Sequence, residues 1–192
     1  MNSMDLFKKL NDLNKSYYTF NDLKKIINFD KQTLKVKLNR MVKRGILKRI
    51  MKGIYVLYNR SINYEYFANN YLSPSYISFE TALSKYGLIS EVPYEITLAT
   101  LNKTKRIKMN GNIIYYRKIQ RKLFFGYEKI DKIYIAIKEK AYLDCIYLKI
   151  FGKPIGVKLE NLNIKKLDKK LIFEYAKKYP AKIKNYIKHI FS

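Results

Sequence analysis

At Gly45 the hydrophobic period of this chain changes, and that change limits what its first part can fold into. Before Gly45, apolar residues recur at helical spacing. After it, "ILKRI" and "GIYVLY" are short β-prone runs joined by "MKG", with Gly53 available for the turn. Upstream, Met4, Phe7, Leu10 and Leu13 recur at helical spacing within Met1–Lys15. Thr19 can cap a short helix over Phe20–Ile27, and Asn28–Asp30 offers a turn into a third helix, "DKQTLKVKLNRMVKRG". Three helices followed by a small hairpin is the element order of a winged helix-turn-helix. That architecture lays its third helix in a DNA major groove and its basic wing on the backbone.

The third helix has two unlike sides. Leu34, Leu38, Met41 and Val42 fall together as a core-facing stripe. The opposite side gathers Gln32, Thr33, Val36, Asn39, Arg40 and Lys43, flanked by Lys35, Lys37 and Arg44. After Asp30, a candidate cap, the run holds six basic residues and no acid. A solvated helix face usually mixes signs, because Glu–Lys pairs at i, i+4 stabilise it. Here the cations repel one another unless a polyanion lies opposite; the plain alternative is a solvated basic helix of a lysine-rich chain. On duplex DNA, Gln32 and Asn39 can read adenine edges and Arg40 guanine, while Val36 meets a thymine methyl and Thr33 a base edge. Lys31, Lys35, Lys37, Lys43 and Arg44 suit phosphates, as do Lys48, Arg49 and Lys52 of the hairpin.

Charge along the whole chain agrees with an anionic partner. Forty Lys+Arg face 15 Asp+Glu in 192 residues, a formal net charge of +25 with a pI near 9.9. A bias toward AT-rich codons explains lysine over arginine, but not the shortage of acids. Residues 1–60 carry a net of +11, residues 61–102 a net of −3 and residues 103–192 a net of +17. The sign change places a domain boundary near Arg60, giving a DNA-binding domain over 1–60 and a second domain over 61–192. Hydrophobic content of 48 % argues for folded domains. Cys145 is the only cysteine and His189 the only histidine. Disulfides and Cys/His zinc sites within one chain are thereby excluded, and a Ser/His/Asp triad has almost no support. "MNSMDLFKKLNDL" has acids rather than an unbroken apolar run, and no stretch approaches the roughly 20 apolar residues that span a bilayer. A cytoplasmic, reduced protein without membrane contact is expected.

The second domain reads as mixed α/β, so the fold class is α+β overall. Helical signals run over Ile62–Tyr71 and Ser78–Tyr86, and "YEITLAT" alternates as a strand. "RIKMNGNIIYYRKI" is a hairpin across Asn110-Gly111. "KIYIAI" is another strand, followed by the helix "EKAYLDCIYLKIF". A helix near Asp168–Lys178, a break at Pro180 and a last helix "AKIKNYIKHIF" close the chain. In "LFFGYE", Gly126 permits a corner and Phe124 or Phe125 is buried; Tyr134 and Tyr142 pack. The acids Glu128, Asp131, Glu139, Asp144, Glu160 and Asp168 show no spacing that converges on a metal. Asp144 reads as a structural acid paired with a base, Asp168 as a cap, and Cys145 as a buried thiol. No catalytic residue, metal or cofactor is expected. Lys169, Lys170, Lys177, Lys178, Lys182, Lys184 and Lys188 line the tail, whose Leu171, Ile172, Tyr175, Ile183, Ile187 and Ile190 can pack inward. That tail is a second anion-binding face or a solvated one, and the alternative to a DNA-binding repressor is an RNA-binding or structural interaction module that uses it.

Five stretches add a resemblance: "KRGILKRIMKGIYVLY", "PSYISFETALSKYGLI", "ITLAT", "LFFGYE" and "KEKAYLDCIYL". In this order, across Leu34 to Leu148, they resemble the AbiEi-like antitoxins of type IV toxin–antitoxin systems. The resemblance implies a winged helix-turn-helix followed by an antitoxin-type domain. It implies a repressor of its own two-gene operon, opposing a nucleotidyltransferase toxin without necessarily forming a complex with it. The partners expected are duplex DNA, as an operator of inverted repeats that a dimer could occupy, and that toxin as a functional partner.

Overall fold

In this computed structural model, which describes residues 3–191, the first elements are α1 (Ser3–Asp12), β1 (Tyr18–Thr19), α2 (Phe20–Ile27), α3 (Lys31–Lys43), β2 (Leu47–Met51) and β3 (Ile54–Leu57). Local chemistry sets the helix ends. The Thr19 hydroxyl oxygen accepts the Asp22 amide at 3.0 Å, and the Asp22 carboxylate accepts the Thr19 amide at 2.9 Å, a reciprocal cap that starts α2. Burial pulls the Asp22 carboxyl up, but hydrogen bonds from Thr19 and the Lys15 ammonium outweigh it and hold the pKa below the ordinary value. Asn28 stops α2 in a left-handed conformation at φ 54°, which asparagine tolerates better than most residues. Asp30 then accepts the amides of Gln32 and Thr33 at 2.9 and 3.0 Å and starts α3.

The three helices close over an antiparallel sheet ordered β1-β3-β2. Leu6, Leu10, Leu23, Leu34, Leu38, Met41, Leu47 and Leu57 form its apolar core. Burial of each such side chain contributes about 1.5–3 kcal/mol. The core stripe of α1 differs from the sequence expectation. Leu6 and Leu10 are buried one turn apart and Phe7 flanks them, while Met4 and Leu13 are exposed. The expected start of that helix at Met1 lies outside the described residues. Val42 is half-buried at the edge of the core rather than inside it.

The chain divides into two compact units at Phe67/Ala68, beyond the charge boundary at Arg60. Packing explains the displacement. The Arg60 guanidinium donates to the carbonyls of Asn11 and Lys15 and to the side chain of Asn14, and Tyr17 packs edge-on against Phe67. Charge patterning registers neither contact.

Beyond α4 (Tyr64–Tyr71), the second unit holds β4 (Ser75–Ile77), α5 (Phe79–Lys85), β5 (Glu95–Thr100), β6 (Lys105–Met109), β7 (Asn112–Lys118), β8 (Tyr127–Ile130), β9 (Ile133–Ala136), α6 (Lys138–Ile150), α7 (Lys169–Ala176) and α8 (Ala181–Phe191). The whole is α+β, with eight α-helices and two sheets among the described residues. The six strands run β6-β7-β5-β4-β9-β8, with β5–β7 and β4–β9 parallel and the other pairs antiparallel. Asn110 and Gly111 both take positive φ, 48° and 81°, as a two-residue turn of the primed type requires between β6 and β7. Helix α5 packs on β5 and α6, and α6 on α7 and α8. No described helix is long and apolar enough to cross a membrane.

Two ion pairs sit inside this unit. Lys140 on α6 is fully buried; its ammonium pairs with Asp144 one turn on and donates to the Tyr179 hydroxyl at 2.7 Å. The Asp144 carboxylate also accepts from Ser78, Tyr179 and Tyr76, at 2.8, 2.8 and 3.2 Å. Burial pushes the Lys140 ammonium down against the pull of Asp144. Burial and the Asp144 charge push the Tyr76 and Tyr179 phenols well up. The second pair joins Arg117 on β7 to Glu80 on α5 at 2.9 Å, also buried. Cys145 is wholly buried, and burial, followed by the charge of Glu80, raises its thiol far above the ordinary value, keeping it protonated and inert.

Candidate nucleic-acid interface

Helix α3 presents most of its polar residues to solvent. Gln32, Thr33, Asn39 and Arg40 are exposed, and so are Lys31, Lys35, Lys43 and Arg44. Val36 is 43 % exposed on that same face, where the core gives it nothing. Asp30, the N-cap, is the one acid in the run from Asp30 to Arg44. Hydrogen bonds from the Thr33 hydroxyl and amide hold its carboxyl below the ordinary range, so it stays charged and satisfies the first turn of α3. Every other formal charge on α3 is positive.

The outer face divides along its length. A concave surface of about 580 Å³ is lined by Gln32, Thr33, Val36, Lys37, Arg40 and Arg44, together with Ser3 of α1. Four of the five residues expected to read bases therefore line one hollow; Asn39 does not. Of the α3 residues expected at phosphates, Lys31, Lys35 and Lys43 lie outside that lining, and Lys37 and Arg44 lie within it. Lys37, expected at a phosphate, is less exposed than the other lysines of α3. It is half-buried, with its ammonium 5.0 Å from the centre of the Phe29 ring. Ser3 was not legible as part of this surface, because nothing in the spacing of α1 says which helix it will face.

The hairpin adds a second set of cations. Lys48 and Arg49 are exposed on β2, and Lys52 is exposed in the turn before Gly53. Lys48 holds its ammonium 4.5 Å from the centre of the Tyr58 ring, a cation–π contact that steadies a long side chain. Gly53 takes φ 79°, the conformation that the tight return into β3 requires.

No protein-family model and no curated protein matches the chain. The assignment of roles therefore rests on residues and geometry. The acids weighed as catalytic candidates are mostly engaged structurally. Asp144 pairs with Lys140, Glu160 with Lys149, and Glu139 accepts the Asp168 amide at 2.9 Å. Asp168 caps α7 through the Leu171 amide at 3.1 Å. Glu128 and Asp131 are exposed around the turn from β8 to β9.

The aromatic expectations fare unevenly. Tyr142 is buried as expected, whereas Tyr134 is 43 % exposed and meets Tyr127 edge-on near the sheet margin. At the "LFFGYE" corner Leu123 is buried, and Phe124 and Phe125 are only half-buried. Gly126 has φ 68°, and a Cβ there would come within 2.9 Å of Tyr175 and 3.2 Å of Lys140. The tail keeps its seven named lysines exposed; Ile172, Ile183 and Ile187 are buried, and Ile190 is on the surface.

Proposed function

We propose that the chain is a DNA-binding transcriptional repressor whose first unit is a winged helix-turn-helix. In this reading α2 and α3 form the helix-turn-helix, α3 enters the major groove, and the β2–β3 hairpin is the wing. The observation that carries the reading is the outer face of α3: exposed, free of acid beyond its cap, and holding Gln32, Thr33, Val36 and Arg40 around one concave surface. Those side chains offer amide, hydroxyl, methyl and guanidinium groups, the set that distinguishes base pairs in the major groove. Lys35, Lys43 and Arg44 beside them, with Lys48, Arg49 and Lys52 of the hairpin, would neutralise phosphates and fix the register. With its resemblance to the AbiEi-like antitoxins, the chain would act in the cytoplasm as the autoregulating antitoxin of a nucleotidyltransferase toxin, and the second unit would carry the antitoxin role.

Arg40 and Lys48 separate reading from positioning. On duplex DNA from upstream of its own reading frame, Arg40→Ala should reduce discrimination against random duplex by about 1–3 kcal/mol. Lys48→Ala should weaken both duplexes alike. Competition titrations measure the two ratios, and equal losses from both variants would mean that α3 is not the reader. Co-expression with a nucleotidyltransferase toxin encoded beside it, where the neighbouring gene is one, tests the antitoxin half; unrelieved growth arrest would remove that role.

A further inference from the structure

The β8–β9 hairpin of the second unit borders a hollow of about 300 Å³ that the repressor reading does not use. Phe124, Tyr127, Lys132 and Tyr134 stand in its lining, together with Asn70 and Ser73. All of these but Phe124, which is half-buried, are exposed, Tyr134 to 43 % and Tyr127 to 36 %. The two tyrosine rings are held in place. Tyr127 stacks on the buried Tyr76, with ring centres 4.6 Å apart at 15°, and meets Phe124 and Tyr134 edge-on. The Asn69 side-chain carbonyl accepts the Tyr134 amide at 2.6 Å. An exposed ring that is already fixed loses little freedom when a flat ligand settles on it.

Charge is sorted along the same hairpin. Lys129 stands opposite Tyr134 in register, and its ammonium lies 5.7 Å from the centre of the Tyr134 ring. Strand alternation puts Tyr127 and Lys129 on one face of β8 and Glu128 and Ile130 on the other. Lys132 is the only formal charge in the lining among the described residues, and its neighbour Asp131 is outside it. These two residues form the turn between paired Ile130 and Ile133, at φ 46° for Asp131 and 69° for Lys132. A two-residue turn with both φ positive accepts aspartate at its first position and favours glycine at its second. A lysine there keeps a strained backbone beside the hollow, and such outliers gather at binding sites. A second cation–ring pair, Lys105 over Tyr71 at 5.0 Å, adjoins Asn70 in sequence.

We infer that this hollow takes an unpaired base of single-stranded nucleic acid. The base would lie on Tyr127 and Tyr134, Lys132 and Lys129 would meet its phosphates, and Asn70 and Ser73 would face its polar edge. Fixed aromatic rings interleaved with lysines are what sequence-tolerant single-strand sites use. A base inside a duplex already has both faces stacked, so duplex DNA has nothing to offer these rings. DNA and RNA strands share the chemistry, and both are probed. The site rests on no part of the repressor reading and survives its failure.

The test is fluorescence anisotropy with the full chain and end-labelled octamers of thymidine and of uridine, each matched by an abasic strand of the same length and sugar. The abasic strand keeps the phosphates, so it measures attraction to lysine-rich surfaces elsewhere. At least one base-bearing octamer should bind about tenfold more tightly than its abasic partner, or better. Tyr134→Ala should remove at least about fivefold of that advantage, the least that a lost stacked base costs, while abasic and duplex binding are unchanged. Tyr134→Phe keeps the ring and should keep the advantage. Lys132→Gly installs the favoured Asp-Gly turn, so its melting temperature should hold or rise. The same variant should make the salt slope for the octamer shallower by about 0.7, the share of one phosphate contact on a single strand. If Tyr134→Ala fails to fold, the abasic comparison and Lys132→Gly still decide. Equal affinity for base-bearing and abasic strands, an indifferent Tyr134→Ala, or an unchanged slope in Lys132→Gly would overturn the proposal.

Discussion

In the first unit no described charged residue is buried, and the core is leucine, isoleucine, methionine and tyrosine. In the second, Glu80, Arg117, Glu139, Lys140 and Asp144 are all buried, and Ser78, Thr81, Thr97 and Thr100 lie inside with them. Both units are rich in lysine, yet they deploy charge for different ends. The first keeps cations outside, where a polyanion can meet them and salt can screen them. The second turns part of its charge inward, where geometry decides whether a pair stabilises or penalises the fold. Net charge therefore describes the surface of the first unit directly. For the second it says less about the surface: the buried Lys140–Asp144 and Arg117–Glu80 pairs take four charges off the surface and leave the net charge unchanged.

The contrast is most sharply broken at Asp144. Asp144→Ala strands the Lys140 ammonium in the core and should destabilise the second unit by about 3–5 kcal/mol. Lys140→Met combined with Asp144→Leu removes both charges and should recover part of that loss, the remainder being the Ser78, Tyr76 and Tyr179 hydroxyls left without their acceptor. Urea unfolding of the three proteins checks this, and a double variant as unstable as the single would contradict the charge argument. In the first unit the equivalent lesion is a cavity. Leu38→Ala should cost roughly 3 kcal/mol, with no partner substitution able to restore it by charge.

A smaller effect sharpens the picture at the surface. Thr19→Ala removes one half of the cap on α2 and should cost about 1 kcal/mol. The lowered carboxyl of Asp22 belongs to the same cap. Its folded pKa lies below its unfolded one, so the unfolded chain binds the proton more tightly. The stabilisation is therefore complete above about pH 5 and is lost as pH falls through the depressed value. Asp22→Asn should flatten this part of the acid limb in a thermal-melt series from neutral pH to about pH 3.

How far the sequence could be read follows the same division. The first unit is written in local terms: Thr19 and Asp22 are three residues apart, Asp30 caps the helix it precedes, and Leu34 and Leu38 share a face at one turn. The second depends on partners far apart in the chain. Ser78 reaches Asp144 and Glu80 reaches Arg117, and no periodicity marks either pairing. Strand β4 was missed because all three of its residues are buried, leaving no alternation to see. Strand β8 was missed for the opposite reason, since every residue of this edge strand is exposed. Tyr134 misled because an aromatic in an apolar run looks the same whether its strand lies inside the sheet or near its margin. The exposed face of α3 was legible because exposure on a helix follows from spacing; Lys37 was the exception, since its contact with Phe29 crosses the turn before the helix.

If α3 meets DNA phosphates, as proposed, the salt dependence of duplex binding shows it most directly. With roughly four to eight phosphates neutralised, log K for the full chain should fall against log salt with a slope of about −4 to −7. The tail lysines could supply a slope of their own, so the deciding protein is the triple variant Lys35→Ala, Lys43→Ala, Arg44→Ala. Losing three phosphate contacts should make the slope shallower by about 2 to 3 while both units keep their melting behaviour. An identical slope in the triple variant would contradict the account, because the DNA would then be held somewhere other than α3.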